Sequence, residues 1–65
     1  MEYSRILKQI RDKLFLTQQE LSDMLDVSFA TVNRWENNKN NPSIKGKKKI
    51  MNLAKRIKLE VKDND

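Results

Sequence analysis

Thr17-Gln-Gln-Glu-Leu-Ser-Asp-Met-Leu-Asp-Val-Ser-Phe-Ala-Thr-Val-Asn-Arg-Trp-Glu36 is the stretch that decides the fold. Thr17 stands three residues before Glu20. That is the spacing of a capping box, in which the hydroxyl accepts from an orphaned amide and the acid reaches back to the cap's own N–H. A helix from Gln18 to Leu25 is predicted behind it. Ser28 can cap a second helix in the same way, running from Phe29 to Glu36 or Asn37. Leu25-Asp26-Val27 leaves room only for a tight turn, and Asp26 bears a left-handed conformation better than most residues other than Gly. Two short capped helices joined by such a turn predict a helix-turn-helix.

On the N-terminal side, Tyr3, Ile6, Leu7, Ile10 and Leu14 recur at spacings of three and four, which predicts a helix over Glu2 to Leu14 with one apolar face. Arg5, Lys8, Gln9, Asp12 and Lys13 take the opposite face, and Phe15-Leu16 connects to Thr17. In the second helix Leu21, Met24 and Leu25 are expected to face inward, with the small Ser22 letting the third helix cross closely. With Val32 pointing straight into the core and about 100° per residue, Trp35 lies about 60° to one side and Glu36 about 40° to the other. Ala30, Asn33, Arg34 and Asn37 then face solvent, Phe29 falls at the boundary, and Trp35 reads as core.

Asn37 to Ser43 is amide-rich and holds Pro42, so it reads as a loop. Ile50, Leu53, Ala54 and Ile57, flanked by Met51, form the apolar stripe of a fourth helix beginning between Ser43 and Lys47. Gly46 weakens a first turn by roughly 1 kcal/mol relative to Ala, which argues for a start after it. The expected architecture is all-α: a compact bundle of four helices over residues 1–59, with a fifth as the alternative. Residues 60–65 are expected to be a polar, disordered tail.

Sixty-five residues make at most one domain. So short a chain buries only about 60 % of the surface its unfolded form exposes, so stability should be modest. There is no Cys and no His, which removes disulfides, thiolate metal sites and the usual general base. No metal and no cofactor are expected. No apolar run exceeds three residues, so no membrane span is expected. The net charge of +5 is unevenly placed. Residues 1–42 carry six Lys/Arg and six Asp/Glu, whereas residues 43–65 carry eight against three. Between Thr17 and Glu36 the sole cation is Arg34, facing Glu20, Asp23, Asp26 and Glu36. Attraction to phosphate must therefore come largely from Lys39 and the lysines that open the fourth helix. Cations there also oppose the helix dipole, which suits an external anion better than a bare solvated face.

Taken together, Arg11, Leu16-Thr17-Gln18-Gln19-Glu20-Leu21-Ser22, Val27-Ser28, Thr31-Val32-Asn33-Arg34-Trp35-Glu36-Asn37, Lys39 and Pro42-Ser43 resemble the phage Cro/repressor class of helix-turn-helix proteins, also called the XRE-like family. The resemblance covers roughly residues 5 to 43. It implies a sequence-specific double-stranded DNA-binding domain, a transcriptional regulator whose third helix enters the major groove. Phe29, Ala30, Asn33 and Arg34 would contact bases. Arg34 is the best reader, since its fork can pair with guanine O6 and N7, and Asn33 could read adenine or touch phosphate. Gln18, Thr31, Asn37, Asn38, Lys39, Lys45 and Lys47 would contact phosphates and position the protein. Arg11 and Glu36 occupy positions that in this family form a structural ion pair between helix 1 and the end of helix 3. A bacterial or phage-encoded, cytoplasmic, nucleoid-associated protein is implied, and a homodimer on DNA is allowed. Four features depart from the pattern: Phe15 and Asp26 where Gly is frequent, Phe29 where many members carry a polar reader, and a lysine-rich helix after Pro42.

Two other readings compete. The domain could target a larger protein, such as a modification enzyme or an antitoxin, to DNA. It could also be a protein-interaction adaptor with no DNA role, which the near-neutral Thr17–Glu36 stretch favours and Arg34 with the cationic fourth helix opposes. An enzyme is not expected, because no nucleophile–base pair is available. A membrane-surface role for the fourth helix is disfavoured because its apolar stripe is needed for the core.

Overall fold

Three hydroxyls start three of the four helices in the computed structural model, which describes residues 3–59. The helices are α1 (Tyr3–Leu14), α2 (Gln18–Leu25), α3 (Phe29–Glu36) and α4 (Ile44–Arg56). At α2, Thr17 Oγ1 accepts from the Glu20 amide at 3.0 Å and the Thr17 amide donates to Glu20 Oε1 at 2.8 Å, a complete capping box. Ser28 Oγ accepts from the Thr31 amide at 3.1 Å to open α3, and Ser43 Oγ accepts from the Gly46 amide at 3.1 Å to open α4. Expectations for Met1, Glu2 and the tail at 60–65 fall outside the described residues.

The helix ends share one device. Each is followed by a left-handed residue: Phe15 (φ 56°), Asp26 (φ 59°), Asn38 (φ 58°) and Lys58 (φ 59°). Each left-handed residue is followed by an amide that turns back to the carbonyl five positions earlier. The pairs are Leu16 to Arg11 (2.9 Å), Val27 to Ser22 (3.0 Å), Lys39 to Arg34 (2.9 Å) and Leu59 to Ala54 (2.8 Å). This is the Schellman termination, whose left-handed position usually takes Gly because it has no Cβ to clash. None of the four is Gly here.

Ile6, Leu7, Ile10, Leu21, Leu25, Val32, Trp35, Ile50, Leu53 and Ala54 form one buried cluster drawn from all four helices. α1 and α2 each pack on both α3 and α4, so α3 and α4 lie across the core from one another. They approach narrowly, where the Trp35 ring lies against the first turn of α4. A Cβ added to Gly46 would sit 3.0 Å from Trp35 Cη2 and 3.2 Å from Cζ2. The helix begins at Ile44, inside the expected window of Ser43 to Lys47 but ahead of Gly46, which lies in its first turn where the missing side chain makes room for the ring.

One correction concerns Met24, expected inward but 50 % exposed. The buried face of α2 is centred between Leu21, Leu25 and a fully buried Ser22, so it is turned toward the crossing with α3. Met24 then falls on the opposite flank, where it lines a groove of about 270 Å³ with Leu25, Asp26, Lys49, Leu53 and Arg56. Ser4 is also buried, on α1, a position that the apolar pattern did not single out.

Candidate nucleic-acid interface

The apolar residues of α3 fix which way its other side chains face. Val32 is fully buried, and Trp35 and Glu36 are nearly so, which turns Phe29, Ala30, Arg34 and Asn37 outward. Phe29 is 46 % exposed at the N-terminal edge, and Arg34 is exposed on the middle of the outward face. Sidedness follows from the helical period, so these positions are legible from spacing alone.

What spacing does not reveal is a polar chain running beneath that face. Glu36, 2 % exposed, accepts from Arg11 Nε at 2.8 Å and from Arg11 Nη2 at 2.9 Å, a bidentate pair. Arg11 Nη1 also donates to the Leu16 carbonyl at 3.4 Å. Glu36 Oε1 accepts a further bond from Gln18 Nε2 at 3.1 Å. Gln18 Oε1 in turn accepts from Asn33 Nδ2 at 3.1 Å, and Asn33 Oδ1 accepts from Asn37 Nδ2 at 3.2 Å. The chain thus links α1, the first residue of α2 and the second half of α3. A buried carboxylate needs this many donors, because an unpaired charge in the interior is strongly unfavourable. The hydrogen bond to Glu36 holds the Arg11 guanidinium above its already high ordinary pKa, against the opposing effect of burial. Arg11 therefore stays charged at all ordinary pH, and a raised cation pKa stabilises the fold below that value and fails only in strong alkali.

The network orients two of the expected DNA contacts. Asn33 is half-buried, not fully outward, and its carboxamide is engaged at both ends. Its oxygen accepts from Asn37 and its nitrogen donates to Gln18, which leaves one lone pair and one N–H of the carboxamide for a base edge. Gln18 is likewise half-buried and spans Glu36 and Asn33, leaving one N–H for an external acceptor. Carboxamides at helical spacing give no sign in a sequence of whether they face solvent or one another. The clue that could have shown it is Glu36, whose inward angle demanded more donors than Arg11 alone.

The remaining expected contacts are dispersed. Thr31 is half-buried, with its hydroxyl 2.8 Å from that of Ser28 at the start of α3. Asn37, Asn38 and Lys39 are exposed in the turn that ends α3, and Lys45 is exposed in the first turn of α4. Lys47 is turned toward α1, half-buried, its ammonium 5.6 Å from the centroid of the Tyr3 ring. Its partner is an aromatic face, and its place differs from that of exposed Lys45.

Among the described residues, no group of His, Cys, Asp or Glu could hold a metal ion, and no helix is long and apolar enough to cross a membrane. Searches of curated proteins and of solved structures returned no match. A family model described as helix-turn-helix matches residues 7–53, a span that takes in the Arg11–Glu36 pair, the whole of α2 and α3 and most of α4. With its capped α2, left-handed turn at Asp26 and outward-facing α3, the chain belongs to the Cro/repressor-like, XRE-type helix-turn-helix family of DNA-binding domains.

Proposed function

We propose that this domain binds double-stranded DNA sequence-specifically, with α3 in the major groove, and that it regulates transcription. The observation that carries this reading is the exposed α3 face of Phe29, Ala30 and Arg34, held over the bonded chain from Asn37 to Arg11. The side chains that would meet bases are presented by a helix whose angle to α1 and α2 is fixed before DNA arrives. Arg34 is the principal reader, pairing its fork with guanine O6 and N7. Phe29 and Ala30 supply apolar contact to thymine methyls. Asn33, held by Gln18 and Asn37, offers its remaining N–H and lone pair to a base edge or a phosphate.

Phosphates are held on both sides of the groove. At the start of α2 the capping box occupies the amides of Thr17 and Glu20. The amides of Gln18 and Gln19 have no intrahelical acceptor and remain for an anion, with Gln18 Nε2 beside them. On the other side stand Asn37, Asn38, Lys39 and Lys45, with Thr31 at the start of α3. These contacts fix register and carry no sequence information.

Selecting bound duplexes from a random pool, followed by comparison of variants on the selected site, tests the reading. Arg34→Ala should lower affinity for the selected site by about 1–3 kcal/mol while barely changing affinity for random duplex. Lys39→Ala should weaken both alike and reduce the salt slope by about one unit. If no sequence is enriched, α3 does not read bases. A chain that shows no salt-dependent binding to any duplex is an adaptor and not a DNA-binding protein.

A further inference from the structure

From Asn37 to Leu59 the chain carries eight Lys/Arg and no Asp or Glu. Most of these cations sit on α4, and its buried residues decide where they point. With Ile50 fully buried, and Gly46, Leu53 and Ala54 buried beside it, the opposite side of the helix presents Lys45, Lys48, Asn52, Lys55 and Arg56, all exposed. Spacings of three and four make them a continuous stripe, about 16 Å long at about 1.5 Å per residue. Among the described residues none of these cations makes an ion pair, and no acid stands in the first turn of α4 to offset the dipole.

The stripe cannot serve the same stretch of DNA as α3. Because α1 and α2 each pack on both, α3 and α4 lie across the core from one another, and the exposed residues of each face away from the core they share. A duplex seated on α3 reaches the exposed turn at Asn37–Lys39 and Lys45 at the near end of the stripe. Touching Lys48, Lys55 and Arg56 as well would require it to fold around a body measuring 27 × 23 × 18 Å. Duplex DNA is stiff over about 50 nm, far beyond that scale.

We infer that the outer face of α4 is a second, sequence-independent phosphate-binding surface that takes a separate segment of duplex, so that one domain bridges two duplexes. Charge of a single sign over a long, flat row is the complement of a phosphate backbone, which carries one charge per about 1.7 Å of axis. A protein partner would be met by aromatic or large apolar anchors. The stripe itself has none between Lys45 and Arg56; the exposed Ile44 lies at its end, and Met24 lies beyond its edge, across the groove that Asn52 and Arg56 border. The inference rests on the DNA reading of α3, and its test separates the two.

The experiment uses the full chain, an immobilised duplex carrying the selected site, and a fluorescent duplex of unrelated sequence in low salt. The chain should retain the fluorescent duplex on the immobilised one, and capture should fall steeply as salt rises. The Asn52→Asp, Lys55→Gln, Arg56→Gln triple variant alters only exposed side chains and should melt as the parent does. It should lose capture at least about tenfold while binding to the single immobilised duplex changes by less than about threefold. Three results overturn the inference. They are site binding with no second duplex captured, equal capture by the triple variant (bridging through association of two chains), and loss of both activities in proportion, which would make α4 part of the first interface. If the second duplex is not captured but poly-glutamate binds the parent and not the triple variant, the face serves an acidic protein and the inference also fails. Absence of binding to the immobilised site overturns instead the reading of α3.

Discussion

Phe15 holds a backbone conformation suited to Gly, at φ 56°, while its ring is 92 % exposed. The left-handed conformation costs a residue with a Cβ about 1–2 kcal/mol, and the exposed ring returns little packing. Phe15→Gly should therefore stabilise the domain by about 1 kcal/mol, raising Tm by about 4–8 °C in thermal unfolding. Gly46 is the opposite case. Its conformation is helical, so Ala would ordinarily gain about 1 kcal/mol. Its added methyl, however, would stand 3.0 Å from Cη2 of a Trp35 ring that is itself buried. Gly46→Ala should lower stability by about 1 kcal/mol or more, since displacing a buried ring to admit the methyl outweighs helix propensity. A denaturant midpoint that rises in this variant would show that the ring moves freely. Phe15 and Gly46 look equally anomalous in the sequence, and only the neighbouring atoms separate a strained residue from a necessary one.

At the scale of elements, the relation between α2 and α3 rests on the left-handed turn at Asp26, the buried Ser22 and the carboxamide bridge from Gln18 to Asn33. Glu36→Ala removes the acceptor of three donors and strands a partly buried Arg11. A loss of roughly 3–5 kcal/mol is expected, enough to unfold much of so small a domain at room temperature. The Gln18→Ala, Asn33→Ala double-mutant cycle should give a coupling of about 0.5–1.5 kcal/mol in chemical denaturation. Additive effects would mean that the two side chains do not support one another. The helix limits were legible because hydroxyl caps and apolar periodicity are local. The network was not, because Gln18 and Asn33 lie 15 residues apart and either amide suits solvent equally well.

At the scale of the whole molecule, charge and shape are separated. The α2–α3 unit carries little positive charge, whereas residues 37–59 carry cations alone. Attraction and base reading should therefore respond to different perturbations. Raising salt should depress affinity for every duplex, and Arg34 substitutions should alter preference at one or two base pairs at any salt. A loss of preference that tracked ionic strength would show that the discrimination is itself electrostatic.

The sequence by itself determined the four helices, two of their caps, most of the core and the outward face of α3, because each depends on residues within one or two turns. It also carried the asymmetry of charge. Tertiary structure alone decided that Met24 faces a groove, that Gly46 belongs inside α4, that Lys47 turns to Tyr3, and that Gln18 and Asn33 hold each other beneath the reading face. Each of these outcomes depends on how closely a second helix approaches and from which side. That is fixed by the volume of Trp35, the smallness of Ser22 and the donor demand of a buried Glu36 acting across the whole bundle.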